Sequence, residues 1–177
     1  MILILFGVSG TGKTTIGRLL SERLGWRFVE GDDYHSPANR QKMQAGIPLT
    51  DEDRQPWLNV LHQIIKELIG QRENAVVACS ALKQKYRDRL VAGFEADQFR
   101  FALLDLPRDL LRERIEKRHH PYMNPNLLDS QLATLEVPAD VWRISVSGTA
   151  EEAVEQVGER LKNAGNSRPG AKPESPN

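Results

Sequence analysis

Residues 7 to 14 run Gly7-Val8-Ser9-Gly10-Thr11-Gly12-Lys13-Thr14, directly after the apolar stretch Ile2-Leu3-Ile4-Leu5-Phe6. This G-x-x-x-x-G-K-[ST] pattern lies between a buried strand and an amphipathic helix, the context its mechanism needs. The glycines let the backbone turn tightly, so successive N–H groups converge on one concavity that can hold phosphate oxygens. The positive end of the helix that follows adds to the attraction. Lys13 supplies a point charge for the β- and γ-phosphates, and the Thr14 hydroxyl is placed to ligate Mg²⁺. The chain is expected to bind a nucleoside triphosphate through Gly7, Val8, Ser9, Gly10, Thr11, Gly12, Lys13, Thr14 and Thr15.

That opening unit sets the fold class. Apolar runs alternate with helical periodicity, as in an α/β fold around a parallel sheet. Strands are expected at about 2–7, 26–30, 74–79, 99–105 and 142–146. The first helix carries Ile16, Leu19, Leu20 and Leu24 on one face, and a second carries Leu58, Leu61, Ile64, Ile65, Leu68 and Ile69. A third runs from Leu82 toward Phe94, and a fourth from Pro107 to about Arg118. The last has Ala153, Val154, Val157 and Leu161 inward, with Thr149 and Glu152 as its capping box. Residues 31–55 and 119–140 interrupt the alternation. Connections of that length in a compact domain are mostly functional or disordered. The first is expected to bind substrate, with a helix starting at Pro56, and the second to form a mobile lid. The domain spans 1–163, and 164–177, rich in Gly, Pro, Ser and Asn, reads as a disordered tail.

Composition narrows the partners. The chain has 177 residues and 24 basic against 24 acidic side chains, so nothing draws it globally to nucleic acid or to an anionic membrane. Its one cysteine, Cys79, excludes an intrachain disulfide and suits a reducing compartment. The N-terminal apolar run is too short for a signal sequence, and no run is long enough to span a bilayer. A soluble, cytoplasmic protein is expected.

A phosphate loop alone serves switches, motors, transporters and kinases. Neither the D-x-x-G nor the N-K-x-D pattern of a GTPase occurs. Phe101-Ala102-Leu103-Leu104-Asp105 resembles a strand closing on a metal-binding carboxylate, but Leu106-Pro107 follows it, which suits a plain strand-to-helix turn. The stronger acidic candidate is Asp32, just beyond the carboxyl end of the second strand, where ligands of open parallel sheets bind. Phosphoryl transfer to a hydroxyl needs a group that orients the acceptor and takes its proton, with cations on the moving phosphoryl. Asp32 is the candidate for the first task. Thr14 and, through water, Asp32 are the candidates for Mg²⁺.

The insertion then resembles the gluconate kinase (gluconokinase) family. Gly31-Asp32-Asp33-Tyr34-His35 is followed by Asn39, Lys42-Met43, Gly46-Ile47-Pro48-Leu49 and Asp51-Glu52-Asp53-Arg54-Gln55-Pro56-Trp57. These match the family's G-D-x-x-H, N-x-x-K-M, G-x-P-L and D-x-D-R-x-P-W. Cys79-Ser80-Ala81-Leu82-Lys83 with Tyr86-Arg87-Asp88, and Leu127-Leu128-Asp129-Ser130-Gln131 through Thr134-Leu135-Glu136, match later family segments in order. One departure stands out: Arg118-His119-His120-Pro121-Tyr122-Met123 has Pro121 where the family carries a His.

The resemblance implies a P-loop NTPase fold of three α/β/α layers with a five-stranded parallel sheet and a lid, like nucleoside monophosphate and shikimate kinases. It implies transfer of the ATP γ-phosphate to the 6-hydroxyl of D-gluconate, and related enzymes suggest a homodimer. Lys13, Asp32 and Arg118 would be catalytic. Arg114 and Arg118, one helical turn apart, would close over the phosphates. Arg54 and Arg87 would grip the gluconate carboxylate, because a guanidinium fork matches it bidentately. His35, Asn39 and Lys83 would contact hydroxyls or phosphate. The alternatives are another small hydroxylated acceptor or a catalytically silent nucleotide-binding module.

Overall fold

The computed structural model describes residues 1–117 and 125–166. Five parallel strands form one sheet: β1 (Ile2–Phe6), β2 (Arg27–Glu30), β3 (Ala75–Ala78), β4 (Phe99–Asp105) and β5 (Trp142–Ser145), in the order β2-β3-β1-β4-β5. Helices are α1 (Lys13–Leu24), α2 (Pro37–Gln44), α3 (Asp51–Gly70), α4 (Gln84–Val91), α5 (Arg108–Lys117), α6 (Pro125–Thr134) and α7 (Ala150–Asn166).

Side chains of β1 alternate between the two faces, so its unbroken apolar run feeds two cores. Leu3 and Leu5 pack with Ile16 and Leu20 of α1, Leu111 of α5 and Val154 and Val157 of α7. Ile2, Ile4 and Phe6 pack on the other face with Trp57, Leu58, Leu61 and Ile65 of α3 and Leu90 of α4. The result is a helix–sheet–helix sandwich with β1 buried at its centre.

Topology places the site. From β1 the chain crosses to β2, returns to insert β3, then continues on the far side with β4. The loop after β1 therefore opens at the point where strand order reverses, the crevice where open α/β sheets bind ligands. Glu30 lies in register with Ala78, and Ala78 with Leu5, so β2 ends level with that loop. Gly31 turns the chain there: a Cβ on it would come within 2.5 Å of the Ala78 carbonyl oxygen.

Two expectations shift. The second strong helix begins at Asp51 rather than Pro56, because Thr50 and Asp53 form a reciprocal cap, with Asp53 N–H donating to Thr50 Oγ1 at 3.2 Å and Thr50 N–H to Asp53 Oδ2 at 2.9 Å. Pro56 sits inside this helix. The stretch assigned to a lid contains α6, and α7 continues through Asn166, past the expected start of the tail. Among the described residues no helix is long and apolar enough to cross a membrane.

Candidate active site

The donor side is made mostly of main chain. Gly12, at φ +92°, caps α1 with no side-chain acceptor, so the first N–H groups of the helix point into the loop without a side-chain cap. Lys13 folds back over this loop, its Nζ donating to the carbonyls of Gly7 (3.0 Å) and Val8 (3.1 Å). Burial pushes its pKa down, while the carboxylates of Asp32 and Glu30 push it up. A buried ammonium beside uncapped N–H groups is the chemistry a triphosphate requires, so the residues present fit the nucleotide.

Beyond the loop, Thr11, Gly12 and Thr15 share a cleft with Arg114, Val146, Gly148 and Thr149. Arg114 Nη2 donates to the carbonyl of Val146 at 2.6 Å, holding the turn after β5 against α5. Arg118 lies outside the described residues, as do Pro121 and the histidines beside it.

Glu30 emerges as a site residue that the sequence reading passed over. Its Oε2 accepts from the Thr14 hydroxyl at 2.6 Å, and its Oε1 accepts from the Asp32 N–H at 3.4 Å. Burial raises its pKa, opposed by the Thr14 hydrogen bond. A carboxylate at the carboxyl end of the second strand, level with the loop, is the signal that could have found it. Among the described residues no cluster of three or more His, Cys, Asp or Glu side chains could hold a metal alone. Thr14, with Glu30 and Asp32 nearby, fits a magnesium ion that takes most of its ligands from phosphate and water.

On the acceptor side, residues 31–34 form a 3-10 turn that carries Asp32. Asp32 is half exposed, with Oδ1 3.9 Å from Nε2 of the buried His35. His35 stacks on Trp57 at 4.3 Å between ring centroids, and Trp57 Nε1 donates to the Gly31 carbonyl at 2.7 Å. Burial pushes the His35 imidazole below its usual value, and its buried Nδ1 has no hydrogen-bond partner. His35, Ile47, Leu49 and Arg54 line a cleft facing Ser130, Gln131 and Thr134 of α6. Arg54 is half-buried, donates to the Leu49 and Thr50 carbonyls, and lies 5.5 Å from the Tyr86 ring centroid.

Other expected contacts are engaged elsewhere. Arg87 is 1% exposed, its Nη1 donating to the carbonyls of Ala81 (2.8 Å) and Leu82 (3.0 Å). Its Nη2 donates to Gln84 Oε1 (2.9 Å) and the Glu136 carbonyl (2.7 Å). All four terminal N–H groups are thus taken, and no fork remains for a substrate carboxylate; Arg87 pins the loop before α4 instead. Asn39 Nδ2 donates to the Asp53 carbonyl at 2.7 Å and joins α2 to α3. Lys83 Nζ lies 2.9 Å from Asp51, which also accepts from Lys85 at 2.5 Å and from the Tyr86 hydroxyl. Those three donors hold the Asp51 carboxyl well below the usual carboxylate range. Cys79 is buried, its thiol pushed up to about 12, and so inert. Asp105 is exposed beside Arg143 at 3.6 Å, a surface pair at the end of β4.

A family model described as an AAA domain matches residues 2–138. The gluconokinase of Gluconobacter oxydans (strain 621H) is 48% identical over 138 residues, 78% of this chain and 76% of that protein. A crystal structure of a gluconokinase from Sinorhizobium meliloti 1021 superposes with a TM-score of 0.79 at 36% identity, covering 94% of this chain and 97% of that one. Shikimate kinase from Aquifex aeolicus vf5 shares the fold, with a TM-score of 0.60 at 16% identity over 95% of this chain and 100% of that one. With the insertion motifs folded around one cleft beside the phosphate loop, the chain belongs to the gluconokinase family.

Proposed function

We propose that this chain transfers the γ-phosphoryl group of ATP to the 6-hydroxyl of D-gluconate, giving 6-phospho-D-gluconate and ADP. One observation carries the reading: Glu30 accepts from the Thr14 hydroxyl at 2.6 Å and from the Asp32 N–H at 3.4 Å, which supports a donor cradle and an acceptor carboxylate that meet at one crevice. Asp32, beside the cleft, orients the acceptor hydroxyl and takes its proton as the oxygen attacks the γ-phosphorus. Lys13 holds negative charge on the phosphoryl oxygens as the bond to the leaving ADP breaks. Arg54, on the cleft wall, takes the gluconate carboxylate, and His35, neutral at physiological pH, offers a ring nitrogen to a hydroxyl. Lys83 stays tied to Asp51 and contributes positive charge at the rim. Thr14, with Glu30 fixing its hydroxyl, would hold Mg²⁺. Bound there, the ion would neutralise charge on the phosphates. Gly148 and Thr149 border the cleft beyond the loop and would receive the adenine.

A coupled ADP-release assay across D-gluconate, shikimate, glycerate and nucleoside monophosphates tests this reading, with phosphorus NMR locating the new ester. Turnover with gluconate and a phosphomonoester on carbon 6 is expected. Preference for another acceptor moves the assignment to that compound, and no turnover with any of them overturns the enzymatic reading.

A further inference from the structure

We propose that Gln131 is a positioning residue that couples occupancy of the phosphate loop to the shape of the acceptor cleft. Its side chain belongs to both. Gln131 Oε1 accepts from the main-chain N–H of Ser9 at 2.7 Å, and Nε2 donates to Ser9 Oγ at 3.1 Å, across 122 residues of sequence. The same residue lines the acceptor cleft, between Ser130 and Thr134. A planar amide paired at both ends fixes distance and orientation together, which a single contact does not.

The other anchors of α6 sharpen the assignment. Asp129 reaches Arg108 (2.7 Å) and Arg112 (3.1 Å) of α5, but these side chains are about half exposed, and such pairs are weak. Past the end of α6, Glu136 N–H donates to the Leu82 carbonyl at 2.9 Å, and its Oε2 accepts from the Gln84 N–H at 2.6 Å. That end is fixed to the start of α4. Between a loose pair and a firm tether, the amide of Gln131 is the contact through which the loop holds the middle of the helix. When phosphates fill the cradle and the loop settles around them, α6 must follow Ser9 or lose both bonds. Either outcome alters the wall that Ser130, Gln131 and Thr134 present to the acceptor. By linkage, acceptor binding acts on nucleotide affinity by the same factor. A glutamate here would set a negative charge against the anion cradle, whereas the neutral amide bonds to the loop without repelling phosphate.

Hydrogen exchange followed by mass spectrometry on the full chain tests the coupling without any acceptor. Adding Mg²⁺ and AMP-PNP to the wild type should change exchange in the peptide spanning residues 125–136 by about fivefold or more, the lower end of typical coupling. In Gln131→Ala and in Gln131→Met, neither of which can make the two bonds to Ser9, that change should vanish, while protection of the peptide covering the loop and α1 persists and reports bound nucleotide. An unresponsive 125–136 peptide in the wild type, or an equal response in the variants, overturns the proposal. A calorimetric arm rests on the gluconate assignment: AMP-PNP should shift gluconate affinity by roughly 5- to 150-fold in the wild type and by less than about twofold in Gln131→Ala. An undiminished shift in that variant also overturns the proposal. Absence of gluconate binding to the wild type would sink the acceptor assignment alone, since the exchange comparison still decides the role of Gln131.

Discussion

The two walls of the cleft are built by different means. Residues 7–15 make the donor wall from consecutive main-chain N–H groups, a left-handed glycine cap and one buried lysine. Side chains from four separated segments, residue 35, residues 43–54, residue 82 and residues 130–134, line the cleft on the acceptor side. A wall of backbone tolerates little variation and binds what every nucleoside triphosphate shares. One assembled from side chains can be respecified one residue at a time. On the proposed reading, chemistry common to the fold resides in the first, and choice of acceptor in the second.

Substitutions should separate the walls by effect and by kind. Lys13→Ala removes the cation from the donor wall, and kcat should fall by about a thousandfold or more; steady-state turnover near the wild-type value would break the comparison at its strongest point. Asp32→Asn should lower kcat by roughly a hundredfold or more while leaving AMP-PNP affinity within about threefold, because proton transfer and nucleotide binding are separate tasks. Equal losses in both would make Asp32 part of the donor wall.

Two arginines on the acceptor side should diverge. Arg54→Ala should raise the gluconate KM about tenfold, the loss of a charge-assisted pair worth roughly 1.5–3 kcal/mol. By contrast, Arg87→Ala strands buried carbonyls and should cost about 3 kcal/mol of stability, a Tm decrease of roughly 6–12 °C by calorimetry, with KM within about threefold. A tenfold KM change without a stability loss would return Arg87 to the substrate. Glu30→Gln weakens the grip on the Thr14 hydroxyl, and the Mg²⁺ concentration for half-maximal activity should rise about tenfold.

The smallest expected effect is a pH dependence of stability. Burial depresses the His35 pKa from its ordinary 6.5, so around that pH the unfolded chain binds more protons than the folded one. Stability should therefore fall as pH drops through about 6.5 toward the depressed folded value. Urea midpoints for the wild type and His35→Gln should converge below that window; parallel curves would show that His35 is solvated after all.

How much of this was legible follows the same division. The strand, loop and helix at residues 2–24 are contiguous and set by local backbone preference, so this part of the fold could be read directly, and the candidate donor site with it. Sheet membership was equally plain, because buried parallel strands such as Ala75–Ala78 are short unbroken apolar runs. The partners of Arg87 were not legible, because its acceptors come from Ala81, Leu82 and Glu136, and no periodicity reveals that a third segment closes over it. The Asn39 amide is likewise engaged by a segment distant in sequence, donating to the Asp53 carbonyl. Glu30 was overlooked beside the more conspicuous Asp32-Asp33 pair, although strand register puts it level with the loop. Gln131 could be noticed as part of a motif, but its pairing with Ser9 exists only once the chain has folded.

The most direct test of the central claim is a crystal structure of the full chain with Mg²⁺, AMP-PNP and D-gluconate bound together. The account predicts an Asp32 carboxyl oxygen within about 3 Å of the gluconate 6-hydroxyl, and that hydroxyl facing the γ-phosphorus. Gluconate bound with another atom toward the phosphate, or with Asp32 beyond reach of any single water, would contradict it.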